Sequence, residues 1–565
     1  MKIFQACAQA LLDHGVEVMF GLMGDVNMLF VAHYREHGGD FVPTVHESSA
    51  VAMADSRSRF TGRVGVATVT HGLGLSNTMT ALVEAVRSRS RVVLLTGDTP
   101  AEPTHFQRLD ISSFAAAAGA GYEKVYRKES LVRDLNRSFQ RAVAEHRPIV
   151  VNIPADLMLD DAGQQPPVRV PVPHSPAVPV LDDLDAALGV TASAKRPIVL
   201  AGRGAVLSGA QQALVALASK LAAPVATSVL AKDLFRGHPA NLGICGSMSH
   251  SVASTAIAES DLIISFGASL NVDTTFHGEW VAEKNLVQID IDPGRFGWYV
   301  YVAGDATAVA EAIGAALDEI DHTPAQPGWL QSVEQALATF TPSDEFTDRT
   351  TVDTVDVRTA CLALDNALPA SRIMVSDIGR FTNSVWPRIA VQDARRFTTM
   401  GGFGAIGLGL AGAIGAAIAA PGETTVAVVG DGGFIMHLGE LATAVRRHLP
   451  LVILVFNDSA YGAEHNKLQR YGADPDHSLN AWPEFVPIAK AMGATAISIR
   501  KLEEIDDPTR HAREGGSRHQ LTTPQRRHKR PVRRDAHAGR SRIRGHSPGG
   551  QRCQPAATRS PSASA

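Results

Sequence analysis

Two aspartates near glycines, Asp431 and Asp458, are the residues of this 565-residue chain that most directly suggest chemistry. Asp431 lies in the run Gly430-Asp431-Gly432-Gly433, where glycines let the backbone approach a ligand closely. Two carboxylates beside exposed backbone suit a hard divalent cation, and Mg²⁺ typically bridges such groups to phosphate oxygens. The pair therefore predicts a site for Mg²⁺ and a phosphorylated ligand.

The elements around these aspartates must bring them together. Residues 424–429 form a continuous apolar run, as expected of a strand buried on both faces. Apolar residues at helical spacing over 438–449 predict a helix, which Pro450 ends before a second strand over 451–456. A parallel βαβ unit of this kind puts both aspartates at the carboxyl ends of strands, where open α/β sheets bind ligands. Taken alone, the pattern is more typical of an ordinary βαβ unit with polar turns, because glycine-rich turns are common.

The whole block from residue 424 to 462 resembles the diphosphate-binding motif of thiamine-diphosphate enzymes, in which GDG precedes a paired asparagine. The resemblance implies that Asp431 and Asp458 give side-chain ligands to Mg²⁺ and that Ala460 gives its carbonyl. This chain has Asn457-Asp458 where the family usually has two asparagines. An aspartate at the ligand position adds a negative charge near the diphosphate.

A glutamate in the first part of the chain supplies the second half of the resemblance. Glu47 follows a predicted strand over 41–45 and begins a predicted helix over 48–60. A glutamate there is also favoured simply by the helix dipole. The segment resembles the catalytic-glutamate motif of the same family, with small residues after Glu47. The resemblance implies that Glu47 drives tautomerisation of the cofactor's aminopyrimidine, as general acid–base catalysis through the cofactor.

Three further segments are similar to acetolactate-synthase relatives. The turn THGLGLSN (70–77) keeps the family's glycines and Asn77, although His71 replaces a serine. The loop around Phe106 and Gln107 resembles one in acetolactate synthases, and the resemblance makes Gln107 a catalytic candidate. In the glycine-rich segment 400–419, Ile406 falls where the family has the bulky side chain that bends the cofactor, which brings its reacting groups close together. The cofactor-binding residues implied by the resemblance are Glu47, Gly72, Asn77, Gly379, Gly404, Ile406, Gly430, Asp431, Gly432, Gly433, Asp458, Tyr461 and Gly462.

Alternating strand and helix patterns divide the chain into three α/β regions. We predict a pyrimidine-binding domain over 1–165, a linker over 166–185, a central nucleotide-type domain over 186–325, a linker over 326–350 and a diphosphate- and Mg²⁺-binding domain over 351–507. The central region carries Gly202-Arg203-Gly204 after a predicted strand, which fits FAD, ADP or no ligand.

The last 58 residues, 508–565, differ in composition from the rest. They hold thirteen arginines and one lysine against one glutamate and one aspartate, a formal charge of +12 in a chain of net charge −4. The segment holds only three large aliphatic residues, which are too few to form a buried core. It is therefore predicted to be a disordered basic tail. A frameshift in a GC-rich gene would produce such a mixture. A basic tail could also bind nucleic acid, but no aromatic residue interleaves the arginines for stacking, which argues against that function.

Composition bounds the remaining possibilities. The four cysteines lack metal-like spacing, so we interpret them as incidental thiols of a reducing cytosol. No run approaches the ~20 apolar residues of a membrane span, and the amino terminus is not typical of a signal peptide. A soluble, cytoplasmic protein is the prediction.

The fold we predict is three consecutive doubly wound α/β domains with mainly parallel sheets. The resemblance implies thiamine-dependent attack on a small 2-keto acid, loss of CO₂ and transfer of the resulting carbanion/enamine to a second carbonyl, as in branched-chain amino acid biosynthesis. The cofactors would be thiamine diphosphate and Mg²⁺, with FAD left open. A homodimer or homotetramer with active sites between subunits is implied. A 2-oxo-acid decarboxylase that releases an aldehyde, or a non-catalytic protein that keeps the fold, are the alternatives.

Overall fold

A computed structural model describes residues 1–100, 104–171, 179, 181–292, 300–505 and 519–524. The first domain alternates helices and strands, as its sequence pattern predicts. Its helices are Ile3–Asp13 (α1), Met28–Glu36 (α2), Glu47–Thr61 (α3), Leu73–Ser76 (α4), Met79–Arg87 (α5), Ile111–Ala118 (α6) and Leu131–Ala144 (α7). Its strands are Val18–Gly21 (β1), Asp40–Pro43 (β2), Gly65–Thr68 (β3), Val92–Thr96 (β4), Gly121–Lys124 (β5) and Ile149–Asn152 (β6).

The second domain has the same alternation. Its helices are Leu181–Ser193 (α8), Arg203–Ser208 (α9), Gln211–Leu221 (α10), Ser251–Glu259 (α11), Ala306–Glu319 (α12) and Pro327–Thr339 (α13). Its strands are Pro197–Ala201 (β7), Val225–Thr227 (β8), Asn241–Ile244 (β9), Leu262–Phe266 (β10), Asn285–Asp290 (β11) and Val300–Ala303 (β12). Helix α13 lies inside the segment expected to be a loose linker over 326–350. Its Trp329 and Val333 are buried in the core of the central domain, so this segment belongs to that domain.

The third domain carries the glycine–aspartate motif. Its helices are Val357–Ala367 (α14), Thr382–Val385 (α15), Gly409–Ala419 (α16), Asp431–Met436 (α17), Leu441–Arg446 (α18), Gly462–Arg470 (α19) and Phe485–Ala491 (α20). Its strands are Arg372–Ser376 (β13), Phe397–Thr399 (β14), Thr424–Gly430 (β15), Leu451–Phe456 (β16), Thr495–Ile499 (β17) and His519–Pro524 (β18). The expected single helix over 438–449 is wrong, because helical structure already begins at Asp431 and a 3₁₀ turn at Leu438–Glu440 separates α17 from α18.

Each domain is built on a six-stranded sheet in which every pair of strands is parallel. The strand orders are β2-β1-β3-β4-β6-β5, β12-β11-β10-β7-β8-β9 and β14-β13-β15-β16-β18-β17. In each sheet the order reverses near the middle, which opens a crevice at the carboxyl ends of the strands. The predicted class of three doubly wound domains is confirmed.

Small residues join the first domain to the third. Helix α3 packs against α16, and one continuous core of buried side chains extends across both domains. A Cβ atom at Gly415 would lie 2.3 Å from the carbonyl oxygen of Met53, so only glycine allows the two helices to approach this closely. The alanines that follow Glu47 are therefore an interdomain packing surface.

Part of the basic tail is ordered. Residues 519–524 form β18, which lies between β16 and β17 and pairs with both in parallel register. The expectation of disorder from residue 508 is wrong for these six residues. Residues 508–518 and 525–565 lie outside the described part of the chain, and so does Cys553. The other three cysteines, Cys7, Cys245 and Cys361, are buried free thiols, and none of the described helices is long and apolar enough to span a membrane.

The position of β18 makes truncation informative. A chain that ends at Ile505 should have a less stable third domain, because β17 would have no partner and β16 would expose an edge. A loss of about 5 kcal/mol would lower the melting temperature of a domain of this size by roughly 10–20 °C. A chain that ends at Arg527 keeps β18 and should melt like the full chain in the same calorimetric scans. Equal melting temperatures for the two truncations would show that β18 adds no stability.

Candidate active site

Three aspartates meet at the carboxyl edge of the third sheet. Asp377 directly follows β13, Asp431 directly follows β15, and Asp458 lies two residues beyond β16. These three strands are neighbours in the sheet, so their carboxyl ends point to one crevice. The sequence predicts two of these carboxylates. It misses Asp377, although that residue ends a buried strand in the same way.

Asp431 is the buried carboxylate at the centre of this group. Its Oδ1 accepts a hydrogen bond from the backbone N–H of Gly432 at 2.8 Å. Its Oδ2 is buried and has no hydrogen-bond partner among the described residues. Burial, followed by the nearby negative charge of Asp458, raises the pKa of Asp431 to about 6. A buried carboxylate oxygen without a partner is costly unless a cation occupies it, so this residue fits a divalent metal.

Asp458 follows the neighbouring strand β16 and is partly exposed. Its Oδ2 forms an ion pair with the guanidinium of Arg380, a residue that the sequence analysis did not single out. Asn457 Oδ1 accepts a hydrogen bond from the backbone N–H of Ser459 at 3.0 Å, at the start of the loop that carries Ala460. The loop thus fits the implied ligand set of Asp431, Asp458 and Ala460, with one extra positive group beside it.

The glycines of this region make room for the surrounding side chains. The ring of Tyr461 lies over Gly432, where a Cβ atom would be 2.8 Å from the ring, and packs edge-on against Trp482. A Cβ atom at Gly433 would lie 2.5 Å from Asp377 Oδ2. Other predicted residues of this region are linked by similar close contacts: Gly379 and Gly430 both lie against Phe381, and Gly462 lies against Asp458.

Asp377 holds the loop that carries Ile406. It is fully buried, and its carboxylate accepts the backbone N–H groups of Gly407 at 2.7 Å and Ile378 at 2.9 Å. Burial raises the pKa of Asp377 to about 7, although these backbone hydrogen bonds lower it. Half-buried Ile406 directly precedes Gly407 and is therefore positioned by this carboxylate. Gly404 borders open space, since no atom outside its chain neighbours lies within 4 Å of the position that its Cβ would take.

The first domain assembles the second cluster. Glu47 is the first residue of α3 and is 5% exposed, and its Oε2 accepts a hydrogen bond from Asn77 Nδ2 at 3.0 Å. The glycine turn lies against the loop of Gln107, because a Cβ at Gly72 would be 2.2 Å from the Gln107 carbonyl oxygen. His71 is buried and its Nε2 bonds Gln107 Oε1 at 2.8 Å. The structure thus joins Glu47, Asn77, Gly72 and Gln107, whereas Phe106 is 89% exposed.

Contacts between domains bring the start of α3 to the third domain within one chain. Ser48 Oγ lies 2.9 Å from His437 Nε2, and burial lowers the pKa of His437 to about 4, so this imidazole is neutral near pH 7. Glu440 Oε1 accepts the backbone N–H groups of Val45 at 2.8 Å and His46 at 3.1 Å. Both His437 and Glu440 follow the GDGG motif closely. The segment that begins with Asp431 therefore also fixes the strand-to-helix turn that presents Glu47.

The central domain gives no support to FAD. Gly202 and Gly204 pack against the backbone of Gly267, and a Cβ atom at Gly202 would lie 2.3 Å from the Gly267 carbonyl oxygen. Arg203 donates a hydrogen bond from Nη1 to the backbone carbonyl of Ser88 in the first domain. Packing alone thus explains the glycine pattern that left a nucleotide open.

Comparisons with known proteins agree with this arrangement. Residues 1–114 match the N-terminal thiamine pyrophosphate binding domain of thiamine pyrophosphate enzymes, residues 184–320 match their central domain, and residues 377–520 match their C-terminal thiamine pyrophosphate binding domain. The last match ends inside β18, which agrees with the place of that strand in the third sheet.

Curated relatives match along nearly the whole chain. A sulfoacetaldehyde acetyltransferase of Alcaligenes xylosoxydans xylosoxydans is 30% identical, over 89% of this chain and 88% of its own. A probable acetolactate synthase large subunit of Methanocaldococcus jannaschii is 28% identical, over 91% and 90%. A probable 2-ketoarginine decarboxylase of Pseudomonas aeruginosa is 28% identical, over 93% of both. With all three domains matched in order, this chain belongs to the family of thiamine pyrophosphate enzymes.

Proposed function

We propose that this protein decarboxylates a 2-keto acid and transfers the remaining carbon unit to a second carbonyl compound, as an acetolactate synthase-like carboligase. The observation that carries the proposal is the first-domain cluster, in which the glycine turn touches both the Glu47 carboxyl and the Gln107 loop. An acid–base group and an amide on neighbouring segments can serve one reacting substrate.

Glu47 is the proton-handling residue of this proposal. Bound thiamine diphosphate supplies a nucleophilic carbon and an electron sink. Asn77 donates a hydrogen bond to Glu47 Oε2. The other oxygen, Oε1, faces Gly74 and accepts no hydrogen bond from a described residue. This oxygen is the one we assign to share a proton with the cofactor's pyrimidine ring. Because the side chain is buried, the proton is exchanged with the ligand in preference to water.

The third-domain cluster holds the other end of the cofactor in this proposal. Asp431 and Asp458 would bind Mg²⁺ through carboxylate oxygens, and Ala460 would add its backbone carbonyl. The partnerless Oδ2 of Asp431 supports this assignment. Asp377 keeps Ile406 in place through the backbone of Gly407, so Ile406 can support the bent cofactor.

One incubation tests the function. The protein is supplied with pyruvate, thiamine diphosphate and Mg²⁺, and acetolactate and acetaldehyde are measured in the same sample. Acetolactate as the main product supports carboligation. Acetaldehyde as the main product contradicts it and identifies a decarboxylase. If neither forms while the bound cofactor still exchanges its C2 proton, pyruvate is not the donor.

His71 gives the decarboxylase alternative its specific support. Release of an aldehyde needs a proton at the carbon that has lost CO₂, and His71 is a buried imidazole bonded to Gln107. We expect His71→Gln to lower the acetaldehyde share of the products at least about tenfold if His71 donates that proton, within the range of general acid catalysis. Gas chromatography of acetaldehyde beside colorimetric acetolactate measures the ratio. An unchanged ratio would remove His71 from the reaction.

The intact Glu47, Asp431 and Ile406 argue against a non-catalytic protein.

We also propose that the chain forms a homodimer or homotetramer with active sites between subunits. Within one chain the first and third domains are already packed together through α3 and α16. The family resemblance assigns Glu47 of one subunit to the metal site of its neighbour, and closed twofold assembly would give two such sites.

A further inference from the structure

Arg380 forms an ion pair with Asp458, the one residue at which the metal motif departs from the family pattern. Its Nη2 pairs with Asp458 Oδ2, and its Nη1 donates a hydrogen bond to Asn466 Oδ1 at 3.4 Å. The side chains of Arg380 and Asp458 are 31% and 26% exposed, so a small ligand can reach both. The extra negative charge of Asp458 is therefore balanced by this chain's own guanidinium.

Neighbouring residues fix the positions of Arg380 and Asp458. A Cβ atom at Gly462 would lie 2.6 Å from Asp458 Oδ2 and 2.8 Å from Arg380 Nε, so any other residue would collide with both partners. Phe381 follows Arg380 and stacks on Phe456 at the end of β16, with ring centroids 5.5 Å apart. The arginine is thus anchored next to the strand that carries Asp458.

The charges of Asp431, Asp458 and Arg380 determine whether a cation binds more readily alone or together with a diphosphate. A cation that arrives alone meets one partnerless carboxylate oxygen, on Asp431, while Asp458 is held by Arg380. The guanidinium repels such a cation, and if Asp458 turned to the cation, Arg380 would be left without an anionic partner. A cation that arrives with a diphosphate offers Arg380 a new partner, because guanidinium groups bind phosphate oxygens in a bidentate manner.

We propose that Arg380 exchanges partners when the cofactor binds, releasing Asp458 to the cation and binding the diphosphate itself. Arg380 is then a diphosphate-binding residue that balances Asp458 and makes capture of the cation depend on the diphosphate. This inference rests on the proposed metal and cofactor site at Asp431.

Binding of Mn²⁺, followed by the electron paramagnetic resonance signal of the free ion, tests the exchange without any measurement of turnover. We expect Arg380→Gln to bind Mn²⁺ alone about tenfold or more tightly than the wild type, and to bind thiamine diphosphate with Mn²⁺ about tenfold or more weakly, since a charge-assisted hydrogen bond is lost. Arg380→Lys keeps the charge and should leave the affinity for Mn²⁺ alone low. Arg470→Gln removes an exposed arginine at the end of α19 and should change neither affinity more than about twofold.

The outcomes separate this inference from the proposed function. Unchanged affinity of Arg380→Gln for Mn²⁺ alone, or unchanged affinity for thiamine diphosphate, overturns the exchange and leaves the cofactor site standing. If the wild type binds no Mn²⁺ even with thiamine diphosphate, the cofactor site itself is wrong and the exchange fails with it. Calorimetric melting confirms that each variant is folded before it is titrated.

Discussion

Glu47→Gln is expected to bind thiamine diphosphate as the wild type does and to slow proton exchange at the cofactor's C2 by at least two orders of magnitude. The amide keeps the shape of the side chain and can still bond to Asn77, but it has no acidic proton to share with the pyrimidine ring. A hundredfold loss corresponds to about 2.7 kcal/mol in the activation barrier. Hydrogen–deuterium exchange of the bound cofactor, followed by NMR, measures the rate directly.

A second buried glutamate offers the matched control. Glu440 is 1% exposed and accepts two backbone N–H groups at the turn before Glu47. In Glu440→Gln the remaining carbonyl oxygen still accepts these bonds, so we expect C2 exchange to stay within about tenfold of the wild type. Exchange at the wild-type rate in Glu47→Gln would exclude Glu47 from the mechanism, and equal losses in both variants would point to a structural effect.

Mixing two inactive variants tests where the active sites lie. Glu47→Gln lacks the acid and Asp431→Ala lacks the metal ligand, so neither should be active alone. If each site takes Glu47 from one subunit and Asp431 from its neighbour, a mixed dimer has one intact site, and random mixing should restore about a quarter of the wild-type activity. Sites contained within a single chain would give no recovery.

The sequence predicted the two strands beside the metal motif because buried parallel strands are continuous apolar runs. Strands β15 and β16 lie where these runs occur, within one residue at each end. The same reasoning failed after Asp431. There, Gly439 packs against Val45, and Glu440 turns to hold the backbone of the first domain, so the helix is interrupted by contacts between residues far apart in sequence.

Strand β18 was missed for another reason. The average composition of residues 508–565 predicts disorder, whereas a strand of six residues needs only a short segment with suitable neighbours. Thr522, Thr523 and Leu521 favour extended structure, and the gap between β16 and β17 supplies both partners. The position of residues 519–524 in the sheet therefore decided their structure. The average composition of a long stretch of sequence does not contain that information.

Residues of the proposed site were singled out from the sequence where a motif exists and were missed where charge balance decides. Asp431, Asp458 and Glu47 stand in recognisable patterns of glycine and acidic residues. Asp377 and Arg380 act through contacts with Gly407 and Asp458, which are distant in sequence. An aspartate in place of asparagine at Asp458 was the one available signal that a compensating cation was needed nearby.

Asp431→Ala is expected to abolish Mg²⁺-dependent binding of thiamine diphosphate. The change removes the buried oxygen that has no protein partner and leaves the cation with Asp458, which is already paired. Loss of a charged ligand in a buried site costs several kcal/mol, and about 4 kcal/mol is roughly a thousandfold in affinity. Calorimetric titration with thiamine diphosphate at fixed Mg²⁺ measures it. Asp458→Asn, which restores the family's usual residue, should bind the cofactor at least as well as the wild type.

Protons should compete with the cation at the same carboxylate. Because burial and Asp458 raise the pKa of Asp431 to about 6, its charged form predominates above pH 6 and is lost as the pH falls through that value. In the wild type, Mg²⁺-dependent affinity for thiamine diphosphate should therefore be constant near pH 7.5 and fall about tenfold per pH unit below 6. Asp431→Ala, which should have lost this binding at every pH, gives the baseline for the titration. If that variant bound the cofactor normally and with unchanged Mg²⁺ dependence, the cation would have to be held elsewhere, and the role assigned to the GDGG turn would be wrong.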